Sequence, residues 1–263
     1  MSIVPEYFQD VTLLITHYNR SNSLMKLLSQ MEKEGCIFKA VIVSDDCSSE
    51  EHLSHVRQLQ ARFNFELITA EVNGGLGRNI NKGQNAVKTR FTLYIQEDFV
   101  PRCGFQAHLK NAVDLLNLHP DFDMVRFYAY KLYPYLEPYK FGFSIMKFNL
   151  WYPGLDKFAY YSDHPHLRRD TFIEKFGAYK EGTSGDKTEF AMMISFLKNK
   201  GRALFFDKHK DVLDQVNSSI EPSTMKRNIL RESNFFGLVA LRTSYRFFKY
   251  NLSYLFSSVG HAK

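Results

Sequence analysis

Ala40-Val-Ile-Val-Ser-Asp-Asp-Cys-Ser48 runs from a short apolar stretch straight into two carboxylates. Four apolar residues, three of them β-branched, are too few for a buried helix and read as a strand covered on both faces. Ser48 and Glu51 stand three apart, the pattern of a capping box, and Leu53, Val56 and Leu59 follow inside the helix it would open. Strand, polar turn and helix in this order form the repeating unit of a parallel α/β sheet.

The unit recurs on both sides. Upstream, Val11 to Thr16 is a compact strand-like run, and Leu24, Leu27, Leu28 and Met31 mark one face of a helix. Downstream, Phe65 to Thr69 gives a third strand, followed by a glycine-rich turn and a short helix around Ile80 to Val87. Phe91 to Ile95 is a fourth strand, running into Gln96-Glu97-Asp98-Phe99. The alternation predicts an α/β fold with a parallel sheet covered on both faces by helices. Ligands of such sheets bind beyond the carboxyl ends of the strands. Polar residues cluster there: Thr16 to Arg20, Asp45 and Asp46, Glu97 and Asp98.

After about residue 105 the texture changes. Residues 126 to 161 are dense in aromatics, with Trp151 among them, and read as a meander or as loops of a second lobe. Thr171 to Leu197 is helical in pattern, Ala203 to Phe206 resembles a late strand, and a basic, aromatic helical segment starts near Ser223. The 263 residues are 44% hydrophobic with a net charge of +6, which predicts a folded body with anionic partners. No nucleic-acid reader motif is present, so nucleic acid is not expected among them. Cys36, Cys47 and Cys103 form no CxxC pair and suit a reducing cytosol. The opening MSIVPEYFQD lacks the pattern of a signal peptide, and no window is apolar enough to span a bilayer. A cytoplasmic protein is expected, with the inner face of the cell membrane as a peripheral address.

Three clusters carry the chemistry. A carboxylate at Asp45 or Asp46 suits a nucleobase N–H or a ribose hydroxyl, and a capped turn would use the same residues. Asn73-Gly-Gly-Leu-Gly-Arg-Asn79 lets the backbone approach a ligand, and Arg78 adds a cation suited to phosphate. Glu97 and Asp98, straight after an apolar strand, offer hard oxygen ligands to Mg²⁺ or Mn²⁺ shared with substrate phosphates. A surface turn is the other reading of that pair.

These blocks together resemble glycosyltransferase family 2. They are Val11-Thr-Leu-Leu-Ile-Thr-His-Tyr-Asn-Arg20, Val41-Ile-Val-Ser-Asp-Asp-Cys-Ser48, Asn73 to Asn79 and Leu93-Tyr-Ile-Gln-Glu-Asp98, and their order and spacing match over residues 11 to about 105. The resemblance implies the GT-A fold, an α/β, Rossmann-like, mixed and mainly parallel sheet flanked by helices, with a C-terminal helical segment. It implies a nucleotide-sugar-binding half at 1–105, an acceptor-binding half at 106–222, and a basic amphipathic helical tail at 223–263. Thr16, Tyr18, Asn19, Asp45, Asp46, Gly75 and Arg78 would line the nucleotide, and Asp98, with Glu97, the metal. Gln96 departs from the family's DxD pattern, which leaves metal dependence open.

Downstream, His164-Pro-His-Leu-Arg-Arg169, Tyr179-Lys-Glu-Gly182 and Lys187-Thr-Glu-Phe190 resemble the acceptor half. There Glu189 would be the general base, with Asp186 in reserve, and Trp151, His164 and His166 would face the acceptor. The implied activity is inverting transfer from a nucleoside-diphosphate sugar, uracil-linked by family habit, to a hydroxyl of a glycan or lipid-linked acceptor in surface glycan or polysaccharide synthesis. A nucleotide-sugar-binding protein without transferase activity is the alternative. The tail, with Phe235, Phe236, Leu238, Val239 and Leu241 followed by Phe247, Phe248 and Leu255, and with Arg242, Arg246 and Lys249 at i, i+4 and i+7, is expected to rest on a membrane surface. Closing the protein's own core or forming a homodimer contact are its other uses.

Overall fold

The computed structural model describes residues 4–216 and 236–257, the latter with side chains from Arg242 onward. Of the expected tail, Ser223 and Phe235 lie outside the described residues. The elements are β1 (Glu6–His17), α1 (Ser21–Lys33), β2 (Cys36–Asp45), α2 (Glu50–Phe63), β3 (Glu66–Ile68), α3 (Gly75–Ala86), β4 (Phe91–Gln96), β5 (Phe99–Pro101), α4 (Phe105–Leu118) and β6 (Met124–Arg126). They continue with β7 (Leu136–Pro138), β8 (Phe143–Met146), β9 (His166–Arg169), α5 (Phe172–Phe176), α6 (Gly185–Lys198), β10 (Ala203–Phe206), β11 (Leu213–Gln215) and α7 (Phe236–Phe256).

Nine strands form one sheet in the order β3-β2-β1-β4-β9-β6-β10-β8-β7. β3, β2, β1 and β4 are mutually parallel, and β9 runs antiparallel between β4 and β6. The chain steps outward from β1 to β2 and β3, then returns to place β4 on the other side of β1. The gap between β1 and β4 is therefore a topological switch point, where helices diverge and ligands lodge.

Side-chain alternation sorts the two faces. Leu13, Ile15, Val43, Leu93 and Ile95 face a core shared with α1, α2 and α4. Leu14, Ile42 and Tyr94 face a second core shared with α3, α5 and α6. Period two thus sends Thr16, Ser44 and Gln96 to the α3/α6 side, and His17 and Asp45 to the α1/α2 side.

Several local expectations are corrected. The N-cap of α2 is Ser49, not Ser48, and it makes no side-chain cap. Ser48 Oγ donates instead to Asp45 Oδ2 at 2.5 Å, because the buried carboxylate is the stronger acceptor. α3 begins at Gly75, ahead of Ile80, because a carboxylate satisfies its first amides. The helical pattern of 171–197 is two helices, separated by residues 177–184, where Gly177 and Gly182 adopt φ of +81° and +65°. The aromatic stretch adds β7 and β8 to the same sheet, with β8 antiparallel to β10.

Candidate active site

The carboxyl ends of β1, β2 and β4 bring the expected polar clusters together. On the α1/α2 side His17 Nδ1 lies 2.7 Å from Asp45 Oδ2, and Ser48 N donates to Asp45 Oδ1 at 2.9 Å. Asp45 is fully buried, and its carboxyl is held below the ordinary value: burial works against the charge but the hydrogen bonds from His17 and Ser48 outweigh it. Asn19, in the left-handed region at φ 52°, donates its backbone N–H to Ser48 Oγ at 2.8 Å and accepts the Ser49 N–H on Oδ1 at 2.7 Å. These residues clamp the end of β1 to the start of α2.

Asp46 turns the other way. Its two carboxylate oxygens accept the N–H groups of Gly74 and Gly75, both at 2.8 Å. A carboxylate at a helix N-terminus meets the positive end of the helix dipole as well as the unpaired amides. Asn79, in the first turns of α3, takes Ser44 Oγ at 2.7 Å and donates to the His17 carbonyl at 3.3 Å. Thr16 Oγ1 and Tyr94 OH are 3.2 Å apart beneath it. Tyr18 is half-buried, and Arg78 is exposed on the first turn of α3.

α3 is locked to the second half of the chain. Asn81 bridges to Tyr179, accepting its N–H and donating to its carbonyl at 2.9 Å each, and donates to Glu181 at 2.7 Å. Gly77 packs so closely on the segment that leads into α6 that a Cβ there would fall on the Lys180 carbonyl and meet Thr188 Cγ2 at 3.2 Å. Thr188 Oγ1 in turn donates to the Lys180 carbonyl at 2.8 Å. The glycine-rich turn and the first turn of α6 are thereby neighbours.

At the end of β4, Asp98 is buried and paired. Its Oδ2 lies 3.2 Å from Arg20 and accepts Gln215 Nε2 at 2.9 Å. Glu97 Oε1 is 3.7 Å from the same guanidinium. Asp98 Oδ1 is buried and has no hydrogen-bond partner among the described residues. A buried carboxylate oxygen of this kind fits a hard divalent cation. No three His, Cys, Asp or Glu side chains gather as a metal cage among the described residues. One or two carboxylates suffice where substrate phosphates supply the remaining ligands.

Across the switch point two carboxyls meet. The backbone N–H of Asp163 donates to Glu189 Oε1 at 3.2 Å, and Tyr161 OH donates to Asp163 Oδ1 at 2.8 Å. Gln96 Nε2 reaches the Asp163 carbonyl at 3.5 Å, tying the pair to the end of β4. Burial, then the charge of Glu189, pushes Asp163 up to about 8. Burial also raises Glu189, against the Asp163 N–H and the charge of Arg126, which lower it. Arg126 is itself buried and is anchored on the Ala159 carbonyl and Ser162 Oγ, at 2.7 Å each. Asp186 is half-buried in the first turn of α6, and its charge adds to the rise at Glu189.

The histidines stand behind this pair. His164 Nδ1 lies 3.1 Å from Ser162 Oγ, and burial with the charge of Arg126 pushes it down to about 3. His166 is fully buried in β9 against Tyr94, with its ring well below the ordinary histidine range through burial and Arg168. Both are neutral rings in the wall of the site. Trp151 is 89% exposed, in the loop between β8 and β9, where its backbone N–H donates to Asn149 Oδ1 at 2.9 Å. The sequence reading missed Asp163, Arg126 and Arg20. Asp163 hides as a lone acid in an aromatic run; the one signal for it is Ser162-Asp163-His164 placed directly before a strand.

The sequence profile described as glycosyl transferase family 2 matches residues 12–176, more than half of the chain. No curated protein sequence matches. Among solved structures, S. aureus TarS 1–349 in complex with UDP-GlcNAc is similar with a TM-score of 0.62 and 15% identity, over 93% of this chain and 73% of that one. The same protein in complex with UDP gives 0.58 and 16%, over 94% and 72%. The mannosyltransferase PcManGT from Pyrobaculum calidifontis, in complex with GDP-Man and Mn²⁺, gives 0.51 and 14%, over 74% and 53%. At these identities the likeness is one of fold, and the fold is GT-A.

Proposed function

The chain belongs to glycosyl transferase family 2 and is a glycosyltransferase, and from that premise we propose how its residues divide the reaction. The donor is a nucleoside-diphosphate sugar, UDP-linked, lying over the carboxyl ends of β1, β2 and β4. The observation that carries this reading is the convergence at the β1/β4 switch point. The Asp46-capped glycine helix, Asp98 with its unpartnered oxygen, and the Asp163–Glu189 pair all meet there. Thr16, Asp46, Gly75 and Arg78 line the nucleotide, and Tyr18 with Asn19 shapes its edge. Asp45 acts through His17 and Ser48 as a positioning residue.

Transfer is inverting. Glu189 takes the proton of the acceptor hydroxyl, whose oxygen attacks the anomeric carbon in line with the departing diphosphate. Asp163 keeps its proton up to about pH 8. The Asp163 N–H and the charge of Arg126 favour the ionised form of Glu189, the form a general base requires, against the burial that raises it. Arg78 supplies a cation toward the leaving phosphates. Asp98, with Glu97, would hold Mn²⁺ or Mg²⁺, which adds positive charge against the developing negative charge of the diphosphate.

The acceptor is a glycan or a lipid-linked glycan, in surface polysaccharide synthesis at the inner face of the cell membrane, with Trp151 as a stacking platform for an acceptor sugar. A homodimer is compatible with this arrangement. The test is nucleoside-diphosphate release from a panel of UDP-sugars with candidate acceptors, for the wild type and for Glu189→Gln. The substitution keeps size and hydrogen bonding but removes basicity. Loss of roughly 10²-fold or more in kcat, with donor affinity retained, supports the role. Turnover within a few-fold of wild type contradicts it.

A further inference from the structure

α7 lies on the body of the protein in one orientation. Tyr250 packs on Phe190 and Phe158, with ring centroids 4.7 and 5.5 Å away, and Tyr254 packs on Phe148 at 5.2 Å. Lys249 Nζ sits 4.8 Å from the Phe190 ring, and Lys198 reaches the Leu255 carbonyl at 3.5 Å. Tyr250 and Tyr254 are one turn apart, so the inner face of the helix is set by them.

The opposite face is apolar and outward. Tyr245, Phe248, Leu252, Leu255 and Phe256 stand at i, i+3, i+7, i+10 and i+11 and are 49–79% exposed. They form one stripe along more than two turns. A large exposed apolar stripe on a helix already docked by its other side marks an interaction surface. Arg242, Arg246 and Lys249 run along one flank at i, i+4 and i+7, and residues 236–257 contain no acid.

We propose that this face of α7 docks the protein on an anionic lipid bilayer. The apolar stripe enters the headgroup boundary while the cationic flank meets lipid phosphates. No described helix is long and apolar enough to cross a membrane, so α7 lies along the surface. A second copy of the chain fits less well. It would bring another cationic row to the same seam, with no acid in the helix to meet it. The contact is independent of the transfer chemistry and of which residue serves as base.

The experiment is co-sedimentation of the full chain with vesicles of phosphatidylcholine alone and with added phosphatidylglycerol. Three proteins are compared: wild type, Phe248→Ser with Leu252→Ser, and Arg246→Gln with Lys249→Gln. Both double variants alter exposed side chains, and their melting temperatures and UDP affinities report whether the fold is kept. Wild type should bind the anionic vesicles, and more weakly as salt rises. Each double variant should lose about tenfold or more in affinity, as expected from removing two buried aromatic or aliphatic side chains or two charges near the surface. Equal binding by wild type and the stripe variant, or no binding to anionic vesicles by the wild type, overturns the proposal. So does a stripe variant that turns a dimer into a monomer without changing vesicle binding.

Discussion

Asp163 and Glu189 come from segments 26 residues apart, and the Asp163 N–H donates to Glu189 Oε1 at 3.2 Å, with each carboxyl in the electrostatic reach of the other and Glu189 in that of Arg126. Two acids so placed do not ionise independently. Burial and the charge of Glu189 push Asp163 up to about 8, and burial raises Glu189 as well.

The shift at Asp163 has a measurable sign. Below pH 4 both folded and unfolded chains keep the Asp163 proton. As pH rises from 3.8 toward about 8, the unfolded chain loses it while the folded chain retains it, so the unfolding free energy falls across this window. Asp163→Asn, which still accepts the Tyr161 hydroxyl, should flatten the fall and raise the melting temperature at pH 8 above that of wild type. Chemical denaturation at pH 5 and pH 8 for both proteins measures this. An undiminished slope in the variant would place the proton elsewhere.

Activity should follow the same pair. Because Glu189 is raised above the ordinary glutamate range, the rising limb of the pH–rate profile should lie above that range as well. Asp163→Asn removes the later ionisation near 8, leaving a single limb. A profile identical to that of wild type would remove Asp163 from the coupled titration.

Gly77 links the two halves of the site. A Cβ at this position meets the Lys180 carbonyl and Thr188, so Gly77→Ala must push α3 away from the start of α6. The expected cost is about 1–3 kcal/mol in stability. Transfer should fall further than nucleotide affinity does, since the nucleotide side keeps its Asp46 cap while Glu189 is displaced. Equal losses in both, or none, would contradict the coupling.

Asp98→Asn retains an acceptor for Gln215 while removing the charge that faces Arg20 and the unpartnered oxygen's anionic character. Calorimetry of UDP with and without Mn²⁺ should show a metal-dependent gain in the wild type that the variant lacks. A gain of the same size in the variant would remove Asp98 from the metal.

The alternation of strands and helices in the first hundred residues was legible because its signals are local. Val41 to Asp46 announces a buried strand and its carboxyl end within six residues, and period two then assigns Asp45 and Ser44 to opposite faces. The roles within the pair Asp45-Asp46 were not legible. Which acid clamps α2 through His17 and which caps α3 depends on contacts 28 residues away in both directions. The Asp163–Glu189 contact was not legible. Glu189 was singled out by the family resemblance, and Asp163 acquires meaning only when β9 inserts antiparallel between β4 and β6, which no local pattern encodes. The split of residues 171–197 into two helices hangs on glycine conformations at 177 and 182, and a periodicity count passes over them.

The most direct test of the central claim is nucleotide recognition at the glycine helix. Asp46→Ala removes both acceptors of the Gly74 and Gly75 amides, at a cost of about 1–3 kcal/mol in stability. Thermal melting is followed with UDP, GDP and their sugar conjugates, with and without Mn²⁺, for the wild type and this variant. A uridine nucleotide should raise the wild-type melting temperature in a concentration-dependent way, and the rise should vanish in Asp46→Ala. No shift with any nucleotide, or the same shift in both proteins, would contradict a donor site at the β1/β4 switch point.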